Sequence, residues 1–112
     1  MAIRCEEYNR VCVVSIDGDL SGDTPAAIRR AAEQRLEQKQ VVNFVLDLAK
    51  TRFIDSDGLE SLLWLKARSE ELFGRVKLAA ADDVCRKILE ITRLAHRFEC
   101  HPDLPAALKS MR

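Results

Sequence analysis

The sequence predicts an α/β domain, a mainly parallel sheet of about five strands with helices packed on it. Three observations carry that expectation. Strand-like and helix-like stretches alternate in the order β-β-α-β-α-β-α-β-α, and such alternation calls for crossover connections between parallel strands. Val41-Val42-Asn43-Phe44-Val45-Leu46-Asp47-Leu48 is a nearly continuous apolar run of strand length, the pattern of a central strand covered on both faces. At 112 residues and 47% hydrophobic content, the chain can bury roughly two-thirds of its unfolded surface in one core. A single domain over 1–112 is therefore expected.

Each element has its own justification. Ile3 to Tyr8 and Val11 to Ile16 flank Asn9-Arg10 as two strands about a turn, so a hairpin opens the domain. Gly18 and Gly22 bracket a loop, after which Thr24-Pro25 supplies an N-cap and a proline at the first helical position. Ile28, Ala31, Ala32 and Leu36 share the apolar stripe of that helix, which should end near Lys39. Beyond the central strand, Leu59, Leu62, Leu63, Leu65, Leu72 and Phe73 recur at helical intervals, and Gly74 is placed as the C′ glycine. Asp55, Ser56 and Asp57 are each suited to the entrance of this helix, and Asp57 with Glu60 has capping-box spacing, so any of the three could cap it. Arg75 to Ala80 alternates as a strand. Asp82-Asp83 caps a third helix whose buried side is Val84, Ile88, Leu89 and Ile91. Phe98-Glu99-Cys100 is a short last strand, and Pro102-Asp103-Leu104-Pro105 starts a final helix carrying Leu104, Ala107, Leu108 and Met111.

Composition narrows the partners. Eighteen basic and eighteen acidic residues give zero net charge, so no global field recruits nucleic acid or an anionic membrane. Arg86, Lys87, Arg93 and Arg97 read as a solvated helix face. No stretch approaches the roughly 20 apolar residues of a membrane span, and no direct membrane insertion is expected. Cys5, Cys12, Cys85 and Cys100 form no C-x-x-C pair and the N-terminus lacks the apolar run of a signal peptide, which points to a reduced, cytoplasmic protein.

The stretch that organises the chain is Phe53-Ile54-Asp55-Ser56-Asp57-Gly58-Leu59, where strand hands over to helix. Loops at the carboxyl ends of strands are the usual sites of function in such sheets. As a nucleophile Ser56 lacks the glycine two residues earlier that a hydrolase elbow requires, since Ile54 stands there. His96 and His101 are the two histidines, with no evident third group to orient either as a base. Neither metal nor cofactor is expected: Cys85, His96, Cys100 and His101 lack zinc-site spacing, and Gly18-x-x-x-Gly22 has no Gly-Lys-Ser/Thr after it. Cys85 and Cys100 read as core residues. On local sequence alone Ser56 is most simply an N-cap, worth about 1 kcal/mol. Trp64 lies four residues after Glu60 and four before Arg68, on the charged face of the same helix. It is a contact anchor there, or it is covered by a neighbouring loop.

The wider pattern resembles a STAS domain, the fold of bacterial anti-sigma factor antagonists and of sulfate-transporter tails. Val45-Leu46-Asp47-Leu48 and, five residues on, Phe53-Ile54-Asp55-Ser56-Asp57-Gly58-Leu59 resemble the family signature DLS…FIDSSGL. Gly18-Asp19-Leu20 resembles its GEL turn, and Val84 to Leu108 its third helix, last strand and final helix. The resemblance implies a binding protein, not an enzyme. Ser56 would be phosphorylated by a serine-protein kinase that doubles as the anti-sigma factor, phosphorylation would end binding, and a PP2C-type phosphatase would reset the system. Asp55, Asp57, Gly58, Leu59, Glu60, Leu63 and Trp64 would border the docking surface. The alternative implied by the same family is an accessory subunit bound to the ATPase of a membrane ABC lipid transporter. Two positions depart from the family: Asp57 replaces the usual Ser, Thr or Ala, and Arg93 stands where glycine often ends the third helix.

Overall fold

A computed structural model describes residues 3–38 and 41–112. The first two strands, β1 (Ile3–Tyr8) and β2 (Val11–Asp17), form an antiparallel hairpin in register from Ile3 opposite Ile16 to Tyr8 opposite Val11. Asn9 and Arg10 both adopt left-handed backbone, with φ of 49° and 66°, as the tight turn that matches strand twist requires. Then follow α1 (Thr24–Glu37), β3 (Asn43–Lys50), α2 (Ser56–Glu71), β4 (Val76–Ala79), α3 (Asp83–Ile91), a single 3-10 turn at Ala95–Arg97, β5 (Glu99–His101) and α4 (Leu104–Ser110). The five strands lie side by side in sequence order, and all pairs after the hairpin are parallel. The expected single α/β domain and its element order are what the chain forms.

A right-handed crossover always carries its helix to the same side when the sheet grows in one direction. Accordingly Ile28, Ala32 and Leu36 of α1, Leu62 and Leu65 of α2, and Cys85 and Leu89 of α3 pack on one face. They bury Cys12, Val14, Ile16, Phe44, Leu46, Leu48 and Leu78 of the sheet. The other face holds Val11, Val13, Val45 and Ala79 beneath Ala107 and Met111 of α4. Both faces of β3 are thus covered, which accounts for its unbroken apolar sequence. Lys77 points to the α4 side and is only 4% exposed. Its Nζ meets Glu99 Oε2 at 2.9 Å and donates to Ser110 Oγ and O at 2.9 and 3.2 Å, while Arg75 donates to Met111 O at 3.2 Å. Two cations therefore hold the carboxyl end of α4, where the helix dipole favours positive charge.

Several boundaries differ from the sequence expectation. Thr24 is the first helical residue and not the cap, the cap position being Asp23, which makes no side-chain capping bond. The helix runs to Glu37, and Lys39 lies outside the described residues. β3 begins at Asn43, two residues into the apolar run, because its register with β2 pairs Asn43 with Val11. α2 ends in a Schellman turn in which Phe73, not Gly74, takes the left-handed conformation at φ 64°. Phe73 N–H bonds Glu70 O at 3.0 Å and Gly74 N–H bonds Ser69 O at 2.8 Å. Gly74 is needed for a different reason: a Cβ there would fall on the Val42 carbonyl. α3 is also rotated from its expected orientation. Cys85 and Leu89 are buried, whereas Val84 is 52% and Ile91 71% exposed, so the apolar stripe is wider than the surface α3 covers. The residue after its cap, Arg93, is left-handed at φ 63° and completes the same turn as glycine would, with Leu94 N–H bonded to Leu89 O at 2.8 Å. Cys100, expected in the core, is exposed, because the three-residue β5 is the sheet edge.

Candidate functional site

The first turn of α2 is seated on the Gly18–Leu20 loop by backbone pairing. Leu20 N–H donates to Phe53 O at 2.9 Å and Asp55 N–H to Leu20 O at 3.2 Å, making a parallel bridge between Leu20 and Ile54. Gly18 N–H adds a bond to Lys50 O at 3.2 Å. Leu20 and Ile54 are both buried, so the strand-to-helix turn has an apolar floor. Gly58 makes that seat possible. A Cβ on it would lie 2.9 Å from both Leu20 Cγ and Ile54 Cγ2, and closer still to the Leu20 carbonyl oxygen.

Of the three candidate caps, Asp55 is the one used: its extended backbone leads into the helix and its Oδ1 accepts from Gly58 N–H at 2.8 Å. Ser56 is the first helical residue and is exposed. Its hydroxyl is therefore released from the capping duty that local sequence allowed for it. Asp57 and Glu60 are exposed, and Leu59 and Leu63 are half-buried beside them. The amides of Ser56 and Asp57 belong to the first-turn donors that an α-helix leaves without intrahelical partners. An added phosphate at Ser56 would sit in the favourable end of the α2 dipole, next to the fixed charge of Asp57.

Two of the sequence candidates have different surroundings from those expected. Gly58 is buried, so it shapes the turn and offers no surface. Trp64 is half-buried against the core with the Arg29 guanidinium 6.0 Å from its ring centroid. Beside it, Arg68 binds Glu33 of α1 at 2.6 Å. The covering element is thus a helix, the face of α1 that carries Arg29 and Glu33, and not the neighbouring loop expected. Conversely, Phe53 was passed over and is 47% exposed immediately before the turn. Alternation held the signal, since burying Ile54 turns residue 53 outward.

The surface around Ser56 continues onto α3. Arg52 pairs with Asp82 at 3.5 Å, and Asp82 caps α3 through a 2.8 Å bond from Cys85 N–H. That backbone bond, with Arg52 adding to it, holds the Asp82 carboxyl below its ordinary value. Exposed Val84 follows in the first turn of α3. Burial, then Asp82, pushes the Cys85 thiol up to about 12, which leaves it protonated and inert. Among the described residues no hydrogen bond joins a histidine to Ser56, and no cluster of three metal-ligating side chains is found. Two surface grooves of about 360 and 450 Å³ lie elsewhere, one lined by Arg4, Ser15, Asp47 and Lys50 and the other by Tyr8, Val11, Leu108 and Met111. Among the described residues no helix is long and apolar enough to cross a membrane.

An anti-sigma factor antagonist from Mycobacterium paratuberculosis superposes with a TM-score of 0.79 at 26% identity, covering 98% of this chain and 92% of that one. The Bacillus cell fate determinant SpoIIAA in its phosphorylated form gives 0.81 at 21% identity over 99% of this chain and 100% of that one. A sulfate transporter family protein from Wolinella succinogenes gives 0.82 at 14% identity over 93% and 86%. The strand order, the crossover helices and the position of the strand-to-helix turn are therefore those of a known fold, and the STAS domain family matches residues 2–107; the chain belongs to that family.

Proposed function

We propose that the protein is an anti-sigma factor antagonist, a binding module controlled by phosphorylation of Ser56. The observation that carries this reading is an exposed hydroxyl on the first residue of α2, with Asp55 taking the capping role. The unmodified protein binds a serine kinase that is also the anti-sigma factor, across Ser56, Asp57, Leu59, Glu60 and Leu63, with Phe53 and Val84 as apolar contacts at the margin. Asp55 and Gly58 hold the turn in place, and Trp64 supports the same helix from its α1 side. A phosphate adds about −1.5 to −2 charges. The first-turn amides and dipole accommodate it, so its effect falls on the partner surface and not on the fold. A hundredfold loss of affinity requires only about 2.7 kcal/mol, within reach of one newly charged group at an interface centre. A PP2C-type phosphatase restores the binding form.

Incubation with serine kinases from the same genome, followed by intact-mass measurement, tests the reading. One phosphate on the wild type and none on Ser56→Ala supports it. Copurification with a transporter ATPase, with Ser56 unmodified, would transfer support to the accessory-subunit alternative. Asp57→Ser should tighten binding to the kinase, because it removes a fixed charge next to the hydroxyl. Equal affinities in a titration would rule out that role for Asp57.

A further inference from the structure

The opening hairpin brings two cysteines onto one face. Cys5 of β1 stands opposite Val14 and Cys12 of β2 stands opposite Glu7, so the two are diagonal neighbours on the face covered by α1. Cys12 is 1% exposed and lies within the core, while Cys5 is half-buried at its border. Arg35 of α1, itself half-buried, places its charge near both sulfurs.

We propose that Cys5 and Cys12 form a peroxide-responsive thiol pair, with Cys5 the attacking sulfur and Cys12 the resolving one. The division of labour follows from burial. The sulfur that keeps some access to solvent can carry the charge, and the one sealed in the core stays protonated. The neighbouring Cys12 thiol, with Arg35 adding to it, holds the Cys5 thiol well below its ordinary value against an opposing effect of burial. The neighbouring Cys5 sulfur and the loss of solvent push Cys12 up, and Glu7 adds to that. A low-pKa thiol next to a resolving cysteine is the usual arrangement of an oxidisable site.

The chemistry balances with a hydroperoxide as the only oxidant. Cys5 thiolate attacks one oxygen of hydrogen peroxide, the O–O bond breaks, and Cys5 becomes a sulfenic acid as hydroxide departs. Cys12 sulfur then attacks the Cys5 sulfur. The sulfenic hydroxyl takes up the Cys12 proton and leaves as water, and a disulfide forms. A dithiol returns both sulfurs to thiols. Diagonal Cα atoms in an antiparallel pair are about 7–8 Å apart, whereas a disulfide takes at most about 6.8 Å, so β1 must move inward by about 1 Å. As the edge strand, paired only with β2, β1 is the strand free to do so.

The test treats the full, freshly reduced chain with hydrogen peroxide and maps its peptides by mass. The expected product is a Cys5–Cys12 linked peptide lacking two hydrogens and reversed by dithiothreitol. Cys12→Ser should instead accumulate a Cys5 sulfenic acid that dimedone traps, and Cys5→Ser should show neither product. In a parallel iodoacetamide reaction at neutral pH, Cys5 should alkylate about tenfold faster than the more exposed Cys100, whose thiol burial raises. Cys12→Ser should slow that reaction. Oxidation or alkylation of Cys100 ahead of Cys5, or a Cys5 rate indifferent to Cys12→Ser, would overturn the proposal. Thiol chemistry is independent of Ser56, so this result and the phosphorylation result can fail separately.

Discussion

Replacing Gly58 by alanine probes the seat of the Ser56 turn directly. In an ordinary helix position the change would stabilise by up to about 1 kcal/mol. Here the new methyl group meets the Leu20 backbone and the Leu20 and Ile54 side chains at or inside 2.9 Å. Backbone cannot swing aside as a side chain can, so α2 must back away from the Gly18–Leu20 loop. That motion sacrifices the bonds Leu20 N–H to Phe53 O and Asp55 N–H to Leu20 O, of 2.9 and 3.2 Å. At about 1 kcal/mol each the loss is about 2 kcal/mol, and the alternative of keeping them under strain costs about 1–3 kcal/mol. Gly58 sits in the first turn, where propensity gains are reduced, so the net destabilisation is about 1.5 kcal/mol. Urea unfolding should show this as a lower midpoint at unchanged slope, and heating as a Tm lower by roughly 6–10 °C. The phosphorylation proposed at Ser56 should slow as well, because the hydroxyl moves with the turn. A Gly58→Ala protein as stable as the parent or more so would refute the close-packing argument, whatever the kinase result.

Three further outcomes are expected. Arg93→Gly should stabilise by about 1 kcal/mol, read from the urea midpoint, since Arg93 carries the left-handed φ of 63° that costs an L-residue about 1–2 kcal/mol and glycine nothing. Trp64→Ala should cost about 2 kcal/mol on unfolding, half the usual penalty for a core tryptophan, because the ring is half-buried between α1 and α2; a loss under about 0.5 kcal/mol would show the ring to be a free surface group. Glu99→Gln should cost about 1 kcal/mol at neutral pH, by leaving the buried Lys77 ammonium without its carboxylate. The Lys77 bond and charge, and then His101, hold the Glu99 carboxyl below its ordinary value of 4.5. A depressed carboxyl stabilises the fold above its unfolded value and loses that contribution as pH falls through the folded one. The difference between Glu99→Gln and the parent should therefore be full at pH 7 and vanish on acidification, and a gap that persists at low pH would show another cause.

Much of the fold was legible because it depends on patterns of short range. The apolar run ending at Leu48, the cap and proline signals around Asp103 and the Asn9-Arg10 turn each specify local backbone, and alternation then orders the sheet. Orientation about a helix axis was less legible. Val84, Ile88 and Ile91 are as apolar as Cys85 and Leu89, and only the reach of the neighbouring elements decides which side of α3 is covered. The same holds for Trp64: the charged stripe on α2 leaves open whether the ring meets a partner or is covered, and the packing of α1, with Arg68 and Glu33 paired between the two helices, decides it. Ser56 was legible by position. Its release from capping was not, since Asp55, Ser56 and Asp57 have nearly equal propensity for that role and the choice falls to the backbone angle set by the Leu20–Ile54 bridge.

The sheet is laid down in the order in which the ribosome makes it, each new strand pairing with the one already finished. A nascent chain can thus build its first face strand by strand as α1, α2 and α3 emerge, each parallel pairing waiting for its crossover helix. The second face is different, for Val11, Val13, Val45 and Ala79 wait for Ala107 and Met111, which follow all of them in the chain. Until then they form an uncovered greasy surface, so a ribosome-stalled or prematurely terminated product lacking α4 is the species most in need of a chaperone.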